Sequence, residues 1–79
     1  MKFGHRLKTI RTAKNIEPIV MADMLSISES TYRRYERDQS EPTLSILYRM
    51  AEIFDVNVAD LLGDKIEISL TRLERNEPK

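Results

Sequence analysis

Cysteine is absent from this 79-residue chain, and histidine occurs once. Nowhere do about 18 apolar residues run together, the length a membrane-spanning helix needs. Without cysteine there is no disulfide framework and no thiolate metal site, the usual staples of small secreted domains. An intracellular, reducing compartment, the cytoplasm, is therefore expected. The start, Met1-Lys2-Phe3-Gly4-His5-Arg6, leads into charged residues, so the chain reads as neither exported nor held in a membrane. Catalysis needs convergent titratable groups. The single histidine, His5, lies near an end and reads as a surface residue, the acids are scattered singly, and no phosphate cradle or metal motif is present. No catalytic residue, cofactor or metal is expected, and the chain does not read as an enzyme.

The chain also lacks net charge, with 13 basic and 13 acidic residues. That argues against a nucleic-acid partner, since Lys and Arg supply most non-specific affinity for phosphate. The distribution argues the other way. Residues 1–37 carry eight basic groups against four acidic ones, a net of +4, and residues 38–79 carry five against nine, a net of −4. One basic end can face phosphates while the whole stays neutral; accidental asymmetry on a solvated surface is the bland alternative.

The length suits one domain. Phe3, Leu7, Ile10 and Ala13 recur at three- and four-residue steps, the pattern of an amphipathic helix over about 3–14 with a basic opposite face. Pro18 suits a first helical turn, so a second helix starts near it, with Met21, Met24 and Leu25 as its apolar stripe and Ala22 allowing close approach. Ser26-Ile27-Ser28-Glu29 reads as a short turn ending in a serine N-cap, followed by an acid where the helix dipole favours one. A third helix covers about 29–37, with Tyr32 and Tyr35 inward and Glu29, Ser30, Arg33, Arg34 and Arg37 elsewhere. After the polar loop 38–42, Thr43 caps a fourth helix whose apolar residues are Leu44, Leu47, Tyr48, Met50, Ala51 and Phe54. Asp55-Val56 makes a tight connection, Asn57 and Asp60 resemble a capping box, and a short fifth helix closes at Gly63. In the last stretch Ile66, Ile68 and Leu70 alternate as a strand would, whereas Ile66, Leu70 and Leu73 fit a helix. The strand reading implies pairing with a second copy.

Two short helices joined by a turn of about four residues, the second starting with small polar residues and carrying arginines, have the layout of a major-groove reader. At this point the chain resembles the Cro/XRE-type helix-turn-helix family, to which many phage repressors belong, over about residues 3–63. The resemblance is carried by Arg6-Leu7-Lys8-Thr9-Ile10-Arg11, Met21-Ala22-Asp23-Met24-Leu25-Ser26-Ile27-Ser28, Ser30-Thr31-Tyr32-Arg33-Arg34-Tyr35-Glu36-Arg37, and Glu41-Pro42-Thr43 through Leu61-Leu62. It implies an all-α, compact five-helix bundle, with the residues near 29–37 as the recognition helix, and commonly a symmetric dimer on a near-palindromic operator.

The resemblance puts Glu29, Ser30 and Arg34 towards base edges, and Thr31 and Arg33 closer to the DNA backbone or groove wall. Arg can donate two hydrogen bonds to guanine, and Glu29 can accept from a cytosine amino group or simply answer the helix dipole. Lys14 and Arg37, with the N-terminal Lys2, remain as backbone contacts. Glu36 is implied to be buried beside Arg11 as a structural ion pair. The chain departs from the family in having Glu17-Pro18 where a phosphate-contacting Gln is usual, Ser26 and Asp38 where Gly often supplies a positive φ, and Gln39 where a basic residue often approaches phosphate.

The expectation is thus a helix-turn-helix DNA-binding domain at 1–64 and a C-terminal tail at 65–79 serving as a dimerisation element. The partners are double-stranded operator DNA and a second copy of the chain, and the function is that of a sequence-specific transcriptional regulator, a repressor. The alternative is a protein-interaction module, an antitoxin-like or adaptor subunit, holding a protein partner through the acidic half and the apolar tail.

Overall fold

The computed structural model describes residues 2–63. The expected tail at 65–79, and the choice between strand and helix there, lie outside the described residues. Five helices follow one another: α1 (Phe3–Ala13), α2 (Pro18–Leu25), α3 (Glu29–Glu36), α4 (Leu44–Phe54) and α5 (Val58–Leu62). The architecture is all-α. Pro18 occupies the first turn of α2, where its missing N–H costs no helical bond. Ser28 Oγ accepts from the Thr31 amide at 3.1 Å and Thr43 Oγ1 from the Ile46 amide at 3.3 Å, so α3 and α4 begin at side-chain caps.

The capping box expected at Asn57 and Asp60 does not form: α5 begins at Asn57 with no side-chain cap. The reciprocal half of such a box is made by Glu or Gln, and Asp60 is one methylene shorter than Glu.

The chain leaves each of the first four helices through a left-handed residue, and none is glycine: Asn15, Ser26, Asp38 and Asp55 all have φ of 58° or 59°. The next amide then closes back on the helix, as from Ile16 to the Arg11 carbonyl, Ile27 to Ala22, Gln39 to Arg34 and Val56 to Ala51. These bonds satisfy carbonyls that a helix end leaves open.

The core gathers Leu7, Met21, Ala22, Leu25, Tyr32, Tyr35, Met50, Phe54 and Leu61. α3 packs on α2 and α1, while α5 bridges α1 and α4. Four residues expected on inward stripes point out instead: Ala13, Met24, Leu44 (60% exposed) and Tyr48 (57% exposed). Helical period places them beside core residues, but they lie at the margins of stripes wider than the neighbouring helices cover.

Candidate nucleic-acid interface

α2, the turn at 26–28 and α3 form the helix-turn-helix. The turn is tight because Ser26 takes a left-handed conformation and Ile27 tucks against the core. α3 then presents two faces. Inward, Tyr32 and Tyr35 are buried. Outward, Ser30, Arg33, Arg34 and Arg37 are exposed, with Glu29 and Thr31 half-buried beside them.

The inward face is fixed by charge as well as by packing. Arg11 Nε lies 2.6 Å from Glu36 Oε2 and its Nη2 3.3 Å from Oε1, with side chains only 11% and 9% exposed. This is the ion pair the family pattern implied. Arg11 Nη1 also donates to the Ile16 carbonyl at 2.8 Å, and the Tyr32 hydroxyl donates to Glu36 Oε2 at 2.6 Å. One carboxylate thus joins α3 to the end of α1 and, through Arg11, to the loop before α2. The bond to Glu36 pushes the Arg11 pKa up, against the opposing effect of burial. Burial first, and then the hydrogen bond to Glu36, push the Tyr32 phenol up.

The start of α1 is tied to the end of α3. Lys2 supplies no side-chain cap there; instead Asp38 Oδ1 accepts from the Gly4 amide at 3.0 Å, placing a negative charge at the positive end of the helix. A Cβ at Gly4 would collide with the Glu36 carbonyl and the Asp38 carboxylate. Local patterning does not disclose this contact, because 34 positions separate the partners. The Tyr32–Glu36 bond was equally missed, although a spacing of four on a helix could have revealed it.

The outward residues behave differently from one another. Glu29 and Arg33 pair across one turn, with Arg33 Nε and Nη2 at 2.9 and 2.8 Å from Glu29 Oε2. Thr31 receives a hydrogen bond from the Ser28 hydroxyl at 2.9 Å. Lys14, at the C-cap of α1, is exposed, as are Arg34, Arg37 and His5. Pro18 offers no amide, so the start of α2 has one donor fewer for a phosphate. Among the described residues no helix is long and apolar enough to cross a membrane.

A helix-turn-helix family model matches residues 7–61. The chain belongs to this family, of the Cro/XRE type. Among the relatives of this helix-turn-helix domain is the SPbeta prophage-derived HTH-type transcriptional regulator YonR of Bacillus subtilis. It is 40% identical over 78 residues, spanning 98% of this chain and 71% of the relative. The cryptic phage CTXphi transcriptional repressor RstR of Vibrio cholerae is 33% identical over 63 residues, 80% of this chain and 56% of the relative. The domain therefore spans little more than half of RstR. In fold it is similar to the P22 c2 repressor, solved in complex with a synthetic operator, with a TM-score of 0.74 at 21% identity, covering 80% of this chain and 96% of that one.

Proposed function

We propose that this helix-turn-helix domain is a sequence-specific DNA-binding transcriptional regulator, a repressor acting in the cytoplasm, that seats α3 in the major groove. The observation that carries the reading is the contrast across α3: an inward face locked by the Arg11–Glu36–Tyr32 network and an outward face of exposed arginines. A helix held that firmly presents its side chains to base edges with no backbone ordering left to be done on binding. The relatives named as a transcriptional regulator and a transcriptional repressor support the same function.

In this arrangement Ser30, Glu29 and Arg34 face base edges, Arg34 with two donors for a guanine. Lys14, Thr31 and Arg37 flank them towards the phosphates. The domain works as a homodimer, because two-fold symmetry brings two such helices to successive major grooves. The segment at 65–79 contributes to that self-association.

Selection from a randomised duplex library at low and moderate salt tests this. A split, near-palindromic motif should be enriched, and Arg34→Ala should weaken binding to it by about 1–3 kcal/mol. Sedimentation should show a dimer on the selected duplex; monomer at every concentration, with and without DNA, would remove the homodimer. Failure to enrich any sequence at either salt, with the protein folded, favours the second reading, a protein-interaction module of the antitoxin or adaptor kind. The specific observation behind that reading is the pair of exposed apolar residues Leu44 and Tyr48 on α4, beside a cleft between α4 and α5 rimmed by Glu52, Asp55 and Asp60.

A further inference from the structure

The Glu29–Arg33 pair has a geometry that simple charge neutralisation does not require. Arg33 gives the Nε and Nη2 edge of its guanidinium to a single carboxylate oxygen, Oε2, at 2.9 and 2.8 Å. A guanidinium has five N–H donors in a rigid plane. With the Nε hydrogen donated to Oε2 and Nη2 held at ion-pair distance from the same oxygen, the Nη2 hydrogen on the far side and the neighbouring Nη1 hydrogen still form the end-on fork that matches two acceptors side by side. On the other partner, Oε1 accepts no hydrogen bond among the described residues. The two side chains are 47% and 35% exposed, on the outward face of α3. The pair therefore offers two parallel donors and, next to them, a charged acceptor.

We propose that Glu29 and Arg33 read DNA as one preassembled unit specific for G·C, Arg33 donating end-on to guanine N7 and O6 while Glu29 Oε1 accepts from a cytosine amino group. This rests on the DNA-binding function proposed above. Among base edges in the major groove, guanine alone presents two adjacent acceptors, and cytosine presents an amino donor with no acceptor beside it. A·T pairs fail both halves, since the fork meets a donor at adenine N6 and the carboxylate meets an acceptor at thymine O4. The carboxylate also holds Arg33 away from phosphates. In this chain Arg33 thus contributes specificity and little general affinity, which suits a molecule with no net charge.

Binding-site selection and salt titrations on the full chain, with wild type, Glu29→Gln, Arg33→Gln and the double variant, test the unit. Both single variants should lose preference at the same G·C pair, by about tenfold or more, and the double variant should lose no more than either one. Glu29→Gln alone should bind unrelated duplex DNA more tightly, with a steeper salt dependence, a slope change of about 0.9, because a released Arg33 reaches a phosphate. Arg33 is exposed and Glu29 only half-buried, and a pair this open to solvent contributes little to stability, so thermal unfolding of the variants should match wild type within a few degrees. Losses at different base pairs, losses that add in the double variant, or an unchanged preference in Glu29→Gln would each overturn the unit while leaving the DNA-binding function intact. A wild-type chain that enriches no motif removes that function and the unit with it.

Discussion

The inward and outward faces of α3 hold nearly the same kinds of group and use them in opposite ways. Inward, Glu36 meets Arg11 and Tyr32 largely out of water, the two charged side chains, Arg11 and Glu36, 11% and 9% exposed. Outward, Glu29 meets Arg33 in solvent, and Arg34 and Arg37 are exposed. In low dielectric a charge pair is costly to break; at the surface it is worth little. The contrast teaches that burial separates the residues that set the pose of α3 from those that can meet a ligand. Changes on one face should register as stability and changes on the other as binding.

The hardest test of that separation is Glu36→Ala. It strips the carboxylate from Arg11 and the acceptor from Tyr32, leaving a largely buried guanidinium with only the Ile16 carbonyl, and should lower stability by up to about 3–5 kcal/mol. That is a large share of the roughly 5–15 kcal/mol typical of a whole domain. Urea unfolding should place Glu36→Ala far below wild type and Arg34→Ala beside it. Equal midpoints for wild type and Glu36→Ala would mean that the pair does not set the pose of α3.

Legibility in the sequence follows the same division between local and distant causes. Helix starts were readable because their signals are local: Pro18, Ser28 and Thr43 each sit at the first turn or cap they indicate. Leu7, Tyr32 and Phe54 were readable as core from period alone. Period says which residues share a face and not how much of that face a neighbour covers, so Ala13, Met24, Leu44 and Tyr48 fall on apolar stripes in the sequence and are exposed in the structure. The Arg11–Glu36 pair spans 25 positions and was legible only through the family pattern. The cap from Asp38 onto Gly4 spans 34 and left no trace in local patterning. On the outward face, the spacing of four between Glu29 and Arg33 is visible in the sequence and permits their pairing, whereas the family pattern implies separate roles for the two.

Tyr32→Phe sharpens the comparison with a smaller change. The ring stays in the core and only the hydroxyl that donates to Glu36 is lost, a bond to a charged group worth about 1.5–3 kcal/mol. The pH dependence gives a second signature. The Tyr32 pKa is raised in the folded state, so the folded chain holds this proton after the unfolded chain has released it. The stabilisation is complete below the unfolded phenol value of about 10 and declines as pH rises from there towards the folded value. Wild type should therefore lose stability above about pH 10, with a limiting slope near 1.4 kcal/mol per pH unit from this group, and Tyr32→Phe should lose that part of the slope. An identical alkaline slope in both proteins would contradict the assignment.

The smallest effects come from the two left-handed residues that bound α2 and α3 at their C-terminal ends. Ser26 and Asp38 share a φ of 58°, a conformation costing a non-glycine residue about 1–2 kcal/mol. Replacement by glycine relieves that strain but frees the unfolded chain, an offset of about 0.4–1 kcal/mol. Ser26→Gly should thus gain about 0.5–1 kcal/mol, seen as a higher midpoint in thermal unfolding. At Asp38, a residue type that tolerates this conformation better than serine, the relief is smaller and comes with loss of the carboxylate that caps Gly4, and a lost cap costs about 0.5–2 kcal/mol. Asp38→Gly should show no gain. Were both variants to gain equally, the cap on α1 would contribute nothing, and the link between the start of α1 and the end of α3 would rest on the close packing of Gly4 against the Glu36 carbonyl alone.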